Sequence, residues 1–149
     1  MGYSYPRSMD TTTDTTTDTP VDTDPLYTRS TTTTPVNYVF FMHVKTTNTW
    51  LGMAPAERFA FVDATLRPLI ARSPDVSMRY FDSEAFNARC SDVIMWETAD
   101  PLAYHFVVEE LRENGFWGQY FEVIEIVASI EDAFALNYGV ERIGAELHR

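Results

Sequence analysis

Arg79, Tyr80, Asp82, Glu84, Arg89, Trp96 and Glu97 fall within one stretch, Val76–Thr98, with the sequence VSMRYFDSEAFNARCSDVIMWET. A carboxylate, imidazole or phenol held against aromatic rings loses solvation. Its proton affinity then shifts towards the range useful for general acid–base work. A nearby arginine can hold a developing enolate or a carboxylate. The chemistry these residue types suggest is proton transfer on a small molecule. Tyr80, Asp82 and Glu97 are the candidate acid–base groups, with His43 joining them from an earlier strand. Arg79 is the candidate anion stabiliser and Trp96 a candidate wall. The competing structural reading makes Arg79, Asp82, Glu84 and Arg89 salt bridges that brace the connection between two strands.

These side chains need ordered backbone to position them. Val76–Asp82 and Asp92–Thr98 read as strands flanking a polar connection that carries Ser83, Glu84, Asn87, Arg89 and Ser91. Upstream, VNYVFFMHVK (Val36–Lys45) is dense in β-branched and aromatic residues and has no Gly or Pro, which predicts a buried strand. Its alternation puts Tyr38, Phe40, Met42 and Val44 on one face and Val39, Phe41, His43 and Lys45 on the other. A helix is expected from Pro55 to about Arg72, with Phe59, Val62, Leu66, Leu69 and Ile70 as its apolar stripe. Pro68 should kink or loosen the turn before it.

Asp100 and Pro101 open a second helix as N-cap and first residue, with Tyr104, Val107, Val108 and Leu111 facing inward. Asn114-Gly115 stops it. An aromatic turn, Phe116–Tyr120, leads to a last strand, FEVIEIV (Phe121–Val127). There Ile124 and Ile126 share one face, and Phe121, Val123, Glu125 and Val127 share the other. Residues 128–138 read as a short helical or irregular cap.

The order β-α-β-β-α-β is the split-βαβ, ferredoxin-like α+β arrangement: a four-stranded antiparallel sheet with two helices on one face. It leaves a second sheet face bare. On the first, second and fourth strands that face is expected to carry Phe41, His43, Lys45, Arg79, Phe81, Val123 and Glu125. So large an apolar face calls for a cover, either a second copy of the chain or a ligand cavity. A homodimer of the dimeric α/β-barrel type is expected. Phe41, Lys45, Phe81, Glu125, Trp117 and Tyr120 join Arg79 and Trp96 as candidate substrate-contacting residues.

Composition limits the partners. The 149 residues carry a net charge of −11. Residues 1–35 are a Thr/Asp-rich, Pro-interrupted stretch with five Asp against two Arg, expected to be disordered. The expected folded unit is 36–140, with 141–149 as a tail. An acidic domain repels phosphate backbones and anionic lipid, so neither nucleic acid nor membrane is expected as a partner. The only cysteine is Cys90, so no intrachain disulfide can form. No long apolar run or signal-like N-terminus is present, and a cytoplasmic protein is expected.

His43, His105 and His148 are widely spaced and no metal-binding motif occurs, so no metal is expected. Haem would need an axial His, Cys or Tyr opening into a cavity, and His43 or His105 are the residues that could serve. The expectation is nevertheless a protein without a cofactor. Cys90, next to Arg89, reads as a partly buried structural thiol.

Several segments together resemble the darcynin family of small bacterial proteins. They are FFMHVKTTNTWLGMAPAERFAFV, LRPLIA, MRYFDSEAFNARCSDVIMWET and VVEELRENGFWGQYFEVIEIVASIEDAFALNYGV, spanning residues 37–140. The most specific pieces are RYFDSEAFNAR, MWET and ELRENGFWGQYFEV. The resemblance implies a small α+β domain and carries no settled activity with it. The strand order is also similar, at the level of fold, to dimeric α/β-barrel proteins, which include polyketide cyclases, cofactor-free quinone-forming monooxygenases and haem proteins.

Two functions are therefore expected to compete. One is an enzyme performing cofactor-independent cyclisation, isomerisation or oxygenation on an apolar aromatic or polyketide-like molecule. The other is a non-catalytic, dimeric ligand-binding or accessory protein. They differ in whether Arg79, Tyr80 and Glu97 line one cavity.

Overall fold

The computed structural model describes residues 36–143; the expected tail 1–35 and residues 144–149 lie outside them. The elements are β1 (Tyr38–Thr46), α1 (Asn48–Gly52), α2 (Pro55–Phe61), a π turn (Val62–Leu66) and α3 (Arg67–Ala71). There follow β2 (Ser77–Asp82), β3 (Asp92–Thr98), α4 (Pro101–Glu113), a second, non-helical π turn (Phe116–Tyr120) closed by the Phe121 N–H on the Phe116 carbonyl, β4 (Phe121–Ile130) and α5 (Ala133–Tyr138). The four strands form one antiparallel sheet in the order β2-β3-β1-β4. That is the expected split-βαβ order.

The alternation of β1 sets the layers. Phe40 pairs with Trp96, Met42 with Ile94 and Val44 with Asp92, and Met42, Val44, Ile94 and Trp96 are buried beneath the helices. Tyr104, Val107 and Leu111 of α4 and Leu69 of α3 close the core from above. The spacing 104, 107, 111 keeps one helix face on the sheet. Asp100 caps α4 by accepting a hydrogen bond from the Leu102 N–H at 2.9 Å. Gly115 ends it at φ +82°, a conformation that favours glycine. Phe40 stacks on Tyr104 with ring centroids 3.8 Å apart and planes within 6°.

Two local departures matter. The helix from Pro55 is not a uniform α-helix. Pro68 has no N–H to donate to the residue 64 carbonyl, and the π turn sits just before it, with the Arg67 N–H reaching back to the Val62 carbonyl. The wider turn rotates the first part of the helix relative to the second. Phe59, expected in the apolar stripe, is 68 % exposed. Phe61 takes the inner position instead, edge-on to Trp50 and to Tyr120.

The second departure is a bulge in β4 opposite His43 and Val44. His43 pairs with Glu125, but Val44 pairs with Val123. The extra residue reverses the pleat across that point. Phe121 and Val123 therefore pack into the core, while Glu125 and Val127 pair with His43 and Phe41 on the other face. Val123 does not belong to the bare face, because simple alternation holds only up to the bulge.

A candidate apolar site between the helices and the sheet

Among the described residues, a cavity opens on the helix side of the sheet. The space is about 370 Å³, within the range of small-ligand sites. Val62 and Leu66 of the first π turn, Ile70 and Arg67 of α3, Met78 and Tyr80 of β2, Trp50 of α1, and Phe116 and Phe121 flanking the second π turn line it. Met78 and Tyr80 alternate on an edge strand, so both point the same way. A smaller void of about 20 Å³ is walled by Leu66, Ile70, Met78, Tyr80 and Phe116 as well, and reaches Ile94 and Trp96.

Backbone and capping contacts hold this wall in place. Thr47 caps α1, its hydroxyl accepting from the Trp50 N–H at 3.3 Å and donating to the Gln119 carbonyl at 2.7 Å. The Thr47 N–H donates to the Tyr120 carbonyl at 2.9 Å. One residue therefore joins the end of β1 to the second π turn. Arg58 donates from Nε to the Trp50 carbonyl at 3.0 Å and from Nη2 to the Leu51 carbonyl at 2.8 Å. These bonds satisfy the free carbonyls at the end of α1 and fix Trp50 against Tyr120 and Phe121.

Tyr80 is the polar group at the rim. Desolvation, chiefly, raises its phenol above the ordinary value, and the Asp92 carboxylate adds to this by charge and by a hydrogen bond. Asp82 and Glu84 push in the same direction. Tyr80 is thus a protonated hydrogen-bond donor at neutral pH and not a base. Asp92 itself is buried and accepts the Ser91 hydroxyl at 2.6 Å. Arg67 at the mouth is engaged with Asp63 at 2.7 Å.

The remaining candidates divide by face. Trp96 lies in the core and borders only the small void. Asp82 sits at the end of β2 opposite Asp92, its carboxylate accepting the Glu84 N–H at 3.4 Å. Trp117 packs against the core under the Arg112 guanidinium, 5.4 Å from its ring centre. Tyr120 supports Trp50 and Phe61 from behind the cavity wall.

Phe41, His43, Lys45, Arg79, Phe81, Glu97 and Glu125 share the opposite sheet face. There His43 Nδ1 lies 3.2 Å from Glu125 Oε1, and Arg89 reaches the other oxygen of Glu125 at 3.5 Å. Lys45 donates to the Ala88 carbonyl at 3.5 Å. The Arg79 guanidinium lies 5.1 Å from the Phe81 ring centre. Arg79 and Glu97 therefore do not share a cavity with Tyr80: they follow the odd-numbered pleat of β2 and β3, and Tyr80 the even one. Arg89 does brace the connection, as the structural reading anticipated, but through Glu125.

Sequence reasoning passed over Trp50 and Met78 as site residues. The signal available was the Met78/Tyr80 alternation next to an apolar helix interrupted by Pro68.

A four-stranded split-βαβ domain with an apolar cavity under its helices defines the class of protein. The chain belongs to the darcynin family: the family model, described as "Darcynin, domain of unknown function", matches residues 25–146. A darcynin homolog of Granulibacter bethesdensis is 41% identical over 106 residues, covering 70% of this chain and 86% of that protein. The darcynin of Chromobacterium violaceum is 44% identical over 70 residues, covering 46% of this chain and 89% of its own.

Among solved structures, a heme-binding protein from Thermus thermophilus superposes with a TM-score of 0.59 at 17% identity, covering 69% of this chain and 43% of that one. A chlorite dismutase of Candidatus Nitrospira defluvii gives a TM-score of 0.57 at 10% identity, covering 67% and 41%. The chain spans about two fifths of the length of these structures, and at such identities the likeness is one of fold.

The expectation of a cofactor-free protein is corrected by this finding, because this fold includes a heme-binding protein. Whether haem suits this chain turns on its own donor set. Met78 and Tyr80 are the cavity's only side chains of axial-ligand type. The Tyr80 phenol is held protonated. His43 lies on the far sheet face, and His105 is exposed on α4, 3.7 Å from Glu109. Cys90 is buried outside the cavity lining. The cavity residues do not fit a histidine- or thiolate-ligated haem. Among the described residues, no cluster of three or more His, Cys, Asp or Glu is placed to hold a metal ion, and no helix is long and apolar enough to cross a membrane.

Proposed function

We propose that this domain binds a small, neutral, largely apolar molecule in the cavity between its helices and its sheet. The observation that carries this reading is the cavity of about 370 Å³ walled by Trp50, Met78, Phe116, Phe121 and aliphatic side chains of the α2–α3 segment. Preformed apolar clefts with one or two convergent polar groups are the usual form of a ligand site. The aromatic walls favour an aromatic or polyketide-like ligand. Binding is favoured over catalysis because only Tyr80 of the acid–base candidates reaches the cavity, and it is a donor. The proton-transfer reading required His43, Asp82 and Glu97 beside it.

The bare sheet face supports a homodimer as the assembled form. Phe81 and Val127 are 40 % and 44 % exposed there. They alternate with cations (Lys45, Arg79, Arg89) and anions (Glu97, Glu125), so a two-fold copy of the same surface would meet both apolar and opposite-charge partners.

Tetralin, an apolar bicyclic probe, tests the cavity. Followed by NMR on the full chain, it should saturate with one site per chain and shift the resonances of Trp50, Met78 and Phe116. Leu66→Trp, which fills the space, should abolish those shifts while the protein remains folded. Shifts confined to the Phe81 and Val127 face, or no saturable binding, would sink the reading.

A further inference from the structure

β4 closes one side of the sheet, and among the described residues no strand pairs with its outer edge. Glu131 donates its N–H inward to the Asn37 carbonyl at 2.9 Å. Backbone direction alternates along a strand, so the N–H groups of Ile126, Ala128 and Ile130 point outward along that edge. The same stretch, IVASI, has no charge and no proline, and Ile126, Val127 and Ile130 are exposed. Such an edge is a template for another strand, and native sheets guard theirs with charges, prolines or a cover. The opposite edge strand, β2, carries Arg79 and Asp82.

The chain holds a segment of matching composition. All five Asp of residues 1–35 lie between 10 and 24. Residues 26–34, LYTRSTTTT, have no acid, no Gly and no Pro, and are mostly β-branched or aromatic, the composition of a strand. The stretch expected to be disordered is thus two segments of different character. The family match begins at residue 25, so it takes in the second segment and leaves out the Asp-rich one. Charge favours the same occupant. β4 and the residue after it carry Glu122, Glu125 and Glu131, which suit a segment with Arg29 and no acid better than a second, equally acidic β4.

Reach is sufficient. β4 is the neighbour of β1, so its outer edge lies two strand spacings, about 10 Å, from β1. Tyr38 pairs with Ile130, so the chain enters the sheet at that end of β4. Residues 35–37 can span about 10 Å when extended. The nine residues 26–34 would then extend over about 30 Å, close to the length of the ten-residue β4.

We infer that residues 26–34 add a fifth strand along the outer edge of β4 in the same chain. Their carbonyls accept from the N–H groups of Ile126, Ala128 and Ile130, and their side chains pack beside Ile126 and Ile130. The cavity takes no part in this contact.

Amide hydrogen exchange, followed by NMR on the full chain, tests the contact. The outward amides of Ile126, Ala128 and Ile130 should exchange within about tenfold of the inward amides of Val127 and Ser129. Thr31→Pro and Thr32→Pro are adjacent, so one of them removes a paired N–H. That variant should speed the three outward amides by about tenfold or more, while the β1 and β3 amides stay unchanged and report an intact fold. Outward amides that exchange freely in the wild type would overturn the inference, as would protection that neither proline moves. Protection that falls on dilution would mean that a second copy supplies the strand, and would overturn the assignment to the same chain.

Discussion

Glu125 Oε1 lies 3.2 Å from Nδ1 of His43, directly across the β1–β4 pair and on the sheet face opposite α3 and α4. The side chains are 38 % and 28 % exposed. In a lone chain so wet a pair is worth at most about 1 kcal/mol. Beneath a second sheet the same pair would be desolvated, and removing one partner would cost about 3 kcal/mol or more. With the proposed homodimer, Glu125→Gln is expected to cause the larger loss and to make the melting temperature depend on protein concentration. Light scattering should give twice the 17.1 kDa chain mass for the wild type and a lower average for the variant. A monomeric wild type at micromolar concentration would end the dimer proposal.

Tyr104 offers a gain in stability. Its ring stacks on Phe40, yet its hydroxyl is buried with no hydrogen-bond partner among the described residues. Tyr104→Phe keeps the stack and removes the unpaired group. Stability should rise by about 1 kcal/mol at neutral pH. Denaturant unfolding that shows a loss of similar size would mean that the hydroxyl has a partner in solution.

Alkaline pH should unfold the domain through the same group. Burial pushes the Tyr104 phenol up to about 12. The stability tied to its protonated form is complete below the unfolded value of about 10 and is lost as pH rises from there towards 12. Tyr80 is shifted in the same direction, but it is 45 % exposed, so its share is smaller. Denaturant midpoints measured between pH 9 and 12 should fall more steeply for the wild type than for Tyr104→Phe, by up to about 1.4 kcal/mol per pH unit. Parallel curves would refute the assignment.

Gly118 holds the second π turn. It sits at φ +92°, and an added Cβ would meet nothing within 4 Å. The cost of Gly118→Ala is therefore purely conformational, about 1–2 kcal/mol. Tetralin affinity should fall as well, because Phe116 and Phe121 flank that turn and line the cavity. An unchanged melt would show that the turn relaxes elsewhere.

Most of the sheet was legible in the residues. β-branched and aromatic runs, the Asp100-Pro101 start and the Asn114-Gly115 stop each act through neighbours in the chain, so local chemistry reveals them. The site was less legible, for two physical reasons. Pro68 announced a disturbed helix, but not that the disturbance would be a π turn exchanging Phe59 for Phe61 at the inner face. The bulge opposite His43 left no mark in composition, because every residue of FEVIEIV suits a strand equally well. Polar residues drew attention to Arg79, Asp82 and Glu97, whereas the enclosed space is defined by side chains that look like ordinary core. Tyr80 is the exception. It was a candidate for its phenol, and it reaches the cavity because Met78 and Tyr80 share a pleat.

The β4 bulge also sets how tolerant the strand is to length changes. Upstream of it the strand serves the core with Phe121 and Val123; downstream it serves the far face with Glu125 and Val127. Deleting Ile124 would remove the bulge alone: Val123 and Glu125 would become neighbours in the chain, and each would keep its present partner, Val44 or His43, and its face. The bulge therefore marks the place in β4 where the loss of one residue leaves both faces intact, whereas a loss further along the strand would move the residues beyond it to the opposite face.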